Sequence, residues 1–296
     1  MNNAIEPRIA EELSVRESQV AAAVRLLDEG ATVPFIARYR KEVTGGLDDT
    51  QMRHLEERLH YLREMEERRQ AILKSIEEQG KLSRELQQSI ATADSKQRLE
   101  DLYLPYKPRR RTKAQIAREA GLEPLADTLL ADPTQDPQRL AQGFLNDDAG
   151  VEDAKAALDG ARQILMERFS ENANLLQTLR DFLRDNALLS ATVVAGKQDE
   201  GVKFSDYFEH VEKLSAVPSH RALAMFRGRN EGILQLALVM HADEKPTDTH
   251  PCEGMLARHW SLEHQGRPAD NWLSEVVRWT WRVKLLTRLQ TELKLE

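Results

Sequence analysis

The sequence lacks most of what marks catalytic, secreted or membrane proteins. Its one cysteine, Cys252, cannot form an internal disulfide, which fits a reducing compartment. The first residues, MNNAIEPRIA, contain no apolar signal core. No apolar run approaches the ~18 residues needed to span a bilayer, so the expected location is the cytoplasm. There is no phosphate-binding G-x-x-x-x-G-K, no G-x-G-x-x-G and no G-x-S-x-G. Carboxylates are plentiful, but they fall on amphipathic stretches beside basic residues, and no pair stands out for acid/base work. The chain is read as a non-enzyme with no cofactor. Net positive charge is also missing: the formal charge is -7, so any contact with nucleic acid must come from a local patch.

What is present is helix signal. Charged residues make up 31% of the chain, above the roughly 25% of an average globular protein, and this suits long solvated helices. At 296 residues the chain holds two domains or one elongated one. Ser14 and Glu17 form an S-x-x-E capping pattern, Val20, Val24 and Leu27 make one apolar face, and Gly30 stops the helix. Asp48 and Gln51 open an unbroken helical pattern that runs to Gln79, before Gly80. At 1.5 Å per residue it is roughly 45–50 Å long. Its seam is apolar at Met52, Leu55, Leu59 and Leu62, then polar at Glu66 and Arg69, then apolar at Ile72, Leu73 and Ile76. Glu64 and Arg68 are spaced for a pair along the helix. The pattern predicts a strut buried at both ends and wet in the middle.

Shorter helices follow at about 83–92, 96–104, 112–120 and 124–131, the third opened by Thr112 and Gln115. ADPTQDPQ reads as a turn. Helix resumes from Val151 to Asn186 with a break near Asn172. Leu189–Val194 and Ile233–Met240 then read as two strands. A short helix spans Pro218–Arg227 and ends at Gly228, and HADEKPTDTHP is a loop. A last helix runs from Asp270 to the end of the chain. Its stripe of Trp272, Val276, Trp279, Val283, Leu286 and Leu293 is expected to pack on the N-terminal helices. Glu296 has no C-cap after it, as in a piece of a longer chain. The fold class is mainly α: a multi-helix array with one long strut, a helix-turn-helix-like hairpin and a small two-stranded β element. The expected division is 1–186 (helix-turn-helix-like part about 112–186), 187–250 as a small α+β segment, and 251–296 as C-terminal helices.

The strongest functional signal is Lys107, Arg109, Arg110, Arg111, Lys113 and Arg118, with no acid between Asp101 and Glu119. Two readings stand: a loop paired with nearby acidic helices, or phosphate contact. TKAQIAREAGLEPLADTLL has helix-turn-helix form, with Ala117 and Gly121 at the spacing of a close crossing. Its second helix offers acids and few donors for base edges, so a structural hairpin is favoured over sequence readout. Pro34–Glu42 mixes aromatic and basic residues. Phe35 and Ile36 are expected in the core with the arginines clamping acidic helices, and stacking plus phosphate contact is the alternative. Ser219, His220, Arg221, Arg227 and Arg229 form a third patch. His250, Cys252, His259 and His264 match no zinc spacing and read as surface histidines and a buried cysteine.

Three stretches, LLDEGATVPFIARYRKEVTGGLDD, LEDLYLPYKPRRRTKAQIAREAGLEPLA and PSHRALAMFRGRNEG, resemble the Tex family of bacterial transcription accessory proteins. The likeness covers essentially the whole chain. It implies the N-terminal helical region of a longer protein, in which an RNase H-like domain, helix-hairpin-helix elements and an S1-type RNA-binding domain follow. That S1-type domain is the family's principal nucleic-acid binder. The implied partners are nucleic acid, RNA or DNA without sequence preference, the transcription apparatus and the domains beyond this chain, with no membrane. The family-like contacts are Arg38, Arg40, Lys107, Arg109, Arg110, Arg111 and Lys113, none of them catalytic. The alternative is a docking module for other domains or proteins with no direct nucleic-acid binding.

Overall fold

The first helices are short because each has a stop built into it. Helix α1 (Ile5–Leu13) ends at Ser14, whose φ of 55° is left-handed. Ser14 and Val15 donate back to Glu11 and Ala10, so Ser14 closes α1 and does not open the next helix. Helix α2 (Glu17–Asp28) is opened instead by Arg16, whose amide donates to the Gln19 side chain (3.1 Å). Helix α3 (Val33–Tyr39) carries Pro34 in its first turn. Helix α4 (Asp49–Glu78) is the long one, and Asp48 and Gln51 cap it reciprocally as the D-x-x-Q pattern requires. Helices α5 (Arg84–Ala91) and α6 (Lys96–Tyr103) then fold back along it. This computed structural model describes residues 5–241 and 249–293.

The long helix works as a spine. Its first half packs on α1, α2 and α3, and its second half on α5 and α6. Met52, Leu55, Leu59, Leu62, Met65, Ile72 and Ile76 are all buried. The middle is therefore not wet, in contrast to the seam expectation: Met65 continues the apolar line, and Arg69 fills the gap. The Arg69 guanidinium donates to the carbonyls of Ile90, Ala91 (2.8 Å) and Ala93 (3.1 Å) at the C-terminal end of α5. Carbonyls at a helix end lack the regular i+4 amide, so one arginine serves several at once. The other charges in the middle pair outward. Arg68 holds Glu100 (2.5 Å) and Glu64 holds Lys96, both reaching α6 and not one another. Arg58 clamps Glu12, and Arg63 holds Asp28 bidentately (2.7 and 2.8 Å).

The chain divides after Tyr106 into two compact units. The border near residue 186 read from composition falls inside the second. That unit begins with α7 (Lys113–Glu119), a turn at Gly121 and α8 (Glu123–Ala131), and α9 (Pro137–Ala141) follows the ADPTQDPQ turn. Helices α10 (Ala154–Ser170) and α11 (Ala173–Asn186) meet at Asn172, which caps α11 by accepting the Leu175 amide (2.9 Å). At Gly160 of α10 a Cβ would lie 2.3 Å from Leu122 and 3.3 Å from Ala117. The close crossing thus joins α7 to α10, and Gly121, with φ at 82°, only turns the chain.

The sheet has three strands, one more than expected. Strand β1 (Leu188–Val193) is central, with β2 (Glu209–Lys213) and β3 (Leu234–Val239) antiparallel on either side. The additional strand reads EHVEK: a polar edge strand with no apolar run to reveal it. Helix α12 (Ser219–Asn230) continues past Gly228, where a Cβ would sit 2.6 Å from Leu234. Gly228 is a packing residue, and the stop is Gly232 at φ 71°. Residues 242–248 of the expected loop lie outside the described residues.

Helix α13 (Pro251–His259) precedes α14 (Asp270–Trp279), a π-turn at Thr280–Leu285, and α15 (Leu286–Leu293). The inward residues are Leu273, Val277, Trp281, Leu285, Leu289 and Leu293. At an ideal ~100° per residue, steps of four drift by about 40° each and would spiral away from the core. The wider π-turn absorbs that drift. Trp279 and Val283 face outward, 47% and 54% exposed, so of the expected stripe only Val276 and Leu293 are fully inward. This segment packs on α10 and α13, inside its own unit. Arg180 on α11, fully buried, pairs with Glu292 on α15 (2.9 Å). Residues 294–296, with the expected uncapped end at Glu296, lie outside the described residues.

Candidate nucleic-acid interface

The basic segment is held at both ends. A 3-10 turn at Leu104–Tyr106 follows α6, and Thr112 opens α7 by accepting the Gln115 amide (3.0 Å). Pro108 keeps the stretch between this turn and α7 from being helical. Lys107, Arg109, Arg110, Arg111 and Lys113 are all exposed. The two readings of this loop divide by residue. Arg109 meets Glu171 at 2.5 Å and Arg111 pairs with Glu119, as the paired-loop reading requires. Lys107, Arg110 and Lys113 form no ion pair among the described residues.

Two glutamates at the end of α10 anchor this region. Burial pushes Glu167 upward, but hydrogen bonds from Arg118 (2.7 Å) and Thr112 (2.9 Å) outweigh it, and its carboxyl stays below the usual range. Burial dominates at Glu171, and its carboxyl is raised despite Arg109. Arg118, counted with the basic run in the sequence, is thus used internally and also reaches Glu123 (3.3 Å). The second hairpin helix, α8, presents Glu123 and Asp127, both engaged by Arg168 (3.6 and 2.7 Å).

Arg38 and Arg40 belong to the first unit. They lie on and just after α3, whose Val33 and Ile36 are buried against its neighbours. Phe35 is not in the core: it is 43% exposed and Tyr39 is 59% exposed. Their ring centroids are 5.5 Å apart with planes tilted by 48°, and the Arg40 guanidinium lies 5.9 Å from the Phe35 centroid. Arg38, Arg40 and Lys41 are exposed and make no ion pair among the described residues, so they do not clamp acidic helices. That task falls to the arginines of α4. The signal in the sequence that marks the outward aromatics is their i,i+4 spacing, offset from Val33 and Ile36 around so short a helix.

Comparison with known proteins settles the family. The Tex central region-like model matches residues 132–296, more than half of the chain, and the Tex-like protein N-terminal domain model matches residues 3–77. The chain belongs to the Tex family. It is 62% identical over 295 residues to Protein YhgF of Escherichia coli (strain K12), covering 99% of this chain and 38% of that protein. It is 58% identical over 291 residues to Protein tex of Bordetella pertussis, covering 97% of this chain and 37% of that protein. It is also 26% identical over 267 residues to the human S1 RNA-binding domain-containing protein 1, covering 88% of this chain and 26% of that one. The chain therefore spans well under half the length of these relatives. The α3 patch lies within the Tex N-terminal match, whereas the basic loop lies between the two matched segments.

In the Tex central region the third patch is largely neutralised. Arg221 pairs with Glu212 (2.7 Å), Arg227 with Glu231 (2.9 Å), and Arg229 lies over the Phe226 ring at 5.1 Å. Among the described residues no three His, Cys, Asp or Glu side chains gather to hold a metal ion. His250 is not at the surface: it is buried, its Nδ1 accepts the Cys252 amide (3.1 Å) to open α13, and its ring lies 4.5 Å from Trp281. No helix among the described residues is long and apolar enough to cross a membrane.

Proposed function

We propose that this chain is a non-catalytic helical scaffold of a cytoplasmic transcription accessory protein, and that it associates with RNA or DNA without sequence readout through exposed cations. The observation that carries the reading is the set Lys107, Arg110 and Lys113, exposed and without an ion pair among the described residues, in a chain of formal charge -7. Arg109 and Arg111 fix the loop through Glu171 and Glu119, and the cations between and beside them stay available to phosphates. Arg38 and Arg40 add a second cationic surface. The lack of sequence readout is supported by α8, whose Glu123 and Asp127 are taken up by Arg118 and Arg168 and which offers few donors where a recognition helix needs them. The α7–α8 hairpin is accordingly a structural element. The name of one relative, a transcriptional accessory protein, supports a role in transcription, and that of another, an S1 RNA-binding domain-containing protein, supports contact with RNA.

The test is a titration of this chain against single- and double-stranded RNA and DNA at two salt concentrations. The reading expects binding to each that weakens steeply with salt. A second reading, docking to another domain or protein, is favoured by exposed Trp279 and Val283 on one turn of the last helix. Docking through that stripe loses little affinity with salt.

A further inference from the structure

We infer that the outer face of α3 is a stacking platform for unpaired bases, so that the first unit takes single-stranded nucleic acid in preference to duplex. The inference rests on the nucleic-acid reading above and assigns a ligand class to one of its two surfaces.

Exposing the rings has a cost. Two aromatic side chains four residues apart, 43% and 59% exposed, give up burial that a short helix next to a core could have used. Their partners on the other side of α3, Val33 and Ile36, are buried and hold the helix in place. The rings are tilted by 48°, so they do not cover one another face to face. The turn after α3 is also fixed. Gln19 donates from its side-chain amide to the carbonyls of Thr44 (3.3 Å) and Gly45 (2.9 Å), and buried Thr44 donates to the Lys41 carbonyl (3.1 Å). Gly45 sits at φ 62°, and a Cβ there would lie 3.1–3.2 Å from Gln19 and Arg16. The braced turn that follows the rings in the chain carries exposed Lys41 and has Arg16 at its edge.

The charge is complementary to a polyanion. Between Glu29 and Asp48 the sequence holds Arg38, Arg40 and Lys41 against a single acid, Glu42. A run of phosphates satisfies such cations, and exposed ring faces satisfy bases, since every base has a π-face. A duplex covers its base faces with neighbouring pairs, so it engages only the cations. An acidic peptide likewise engages only the cations and leaves the rings unexplained.

The experiment uses this chain and labelled oligonucleotides about 12 nucleotides long, within the range one such site covers: single-stranded RNA, single-stranded DNA, a matched duplex, and an abasic strand. The variants are F35A/Y39A, the aromatic-retaining F35Y/Y39F, and K107A/R110A/K113A. Thermal melts establish that each is folded. The inference expects F35A/Y39A to weaken binding to one or both base-bearing single strands by about tenfold or more. Duplex binding should be unchanged, and F35Y/Y39F should bind like the parent. The parent should bind the abasic strand as weakly as F35A/Y39A binds the complete one. Unchanged single-strand affinity in F35A/Y39A overturns the inference. So does an equal loss on duplex or abasic strand. If K107A/R110A/K113A loses affinity while F35A/Y39A keeps it, the stacking platform falls and the function proposed above stands. If the parent binds none of the oligonucleotides, both fall.

Discussion

Glu167 and Glu171 lie one turn apart and show how burial and pairing compete for a carboxylate. Glu167 is buried yet held ionised, because Arg118 and Thr112 donate to it at 2.7 and 2.9 Å. Its folded pKa is depressed, so the stability it contributes is present above the unfolded glutamate value of about 4.3 and is lost as pH falls through the folded value. Replacing Glu167 by Gln is expected to cost about 2 kcal/mol at neutral pH, the range of charge-assisted hydrogen bonds, and to shrink the loss of stability on acidification below about pH 4. Chemical denaturation at neutral and acid pH measures both; an unchanged acid sensitivity speaks against the assignment. Glu171 has the opposite sign. Its folded pKa is raised, so its contribution is complete below the unfolded value and is lost as pH rises through the folded one. Gly160 is the other single-residue case. Alanine in place of a mid-helix glycine ordinarily stabilises by up to about 1 kcal/mol. Here the added methyl meets buried Leu122 at 2.3 Å, and overpacking of this kind costs about 1–3 kcal/mol. Gly160→Ala should therefore lower the melting temperature; a raised one would show that the α7–α10 crossing has room to spare.

At the level of elements, the final helix makes the sharpest distinction. Trp281 is fully buried against His250, whereas Trp279 is 47% exposed with Arg162 5.5 Å from its ring. Trp281→Ala should cost about 3–5 kcal/mol. Trp279→Ala should cost little, within about 1 kcal/mol, the scale of an exposed cation–π contact. Equal losses in thermal unfolding would contradict the π-turn register. The 3-4 spacing read from the sequence runs through Trp279 and Val283, and a π-turn leaves no residue signature that a helical wheel detects. Elements with local signals are legible in the sequence: Asp48 and Gln51 mark the start of α4, and Asn172 marks the break before α11. Elements fixed by distant partners are not. The strand EHVEK exists because β1 lies beside it, and Arg69 replaces an apolar seam residue because the end of α5 needs donors. The basic loop is visible as a run of charge, but which cations remain free depends on Glu171 and Glu119, positions the sequence alone does not bring together.

Across the whole molecule, charge is mostly cancelled in place. Arginines on α4 tie down α1, α2, α5 and α6, and those of the second unit close on Glu123, Glu167, Glu212 and Glu292. A chain of formal charge -7 built this way repels a polyanion except where cations are left over. Lys107, Arg110 and Lys113 are such a remainder, and the scaffold reading depends on them. The most direct measurement is the dependence of nucleic-acid affinity on salt for the parent chain and for K107A/R110A/K113A. Every phosphate left without its cation takes about 0.9 off the log–log slope on duplex and about 0.7 on single strands. The account predicts weaker binding by the variant and a slope reduced in magnitude by roughly two to three units. A folded variant with the parent's affinity and the parent's slope would contradict it.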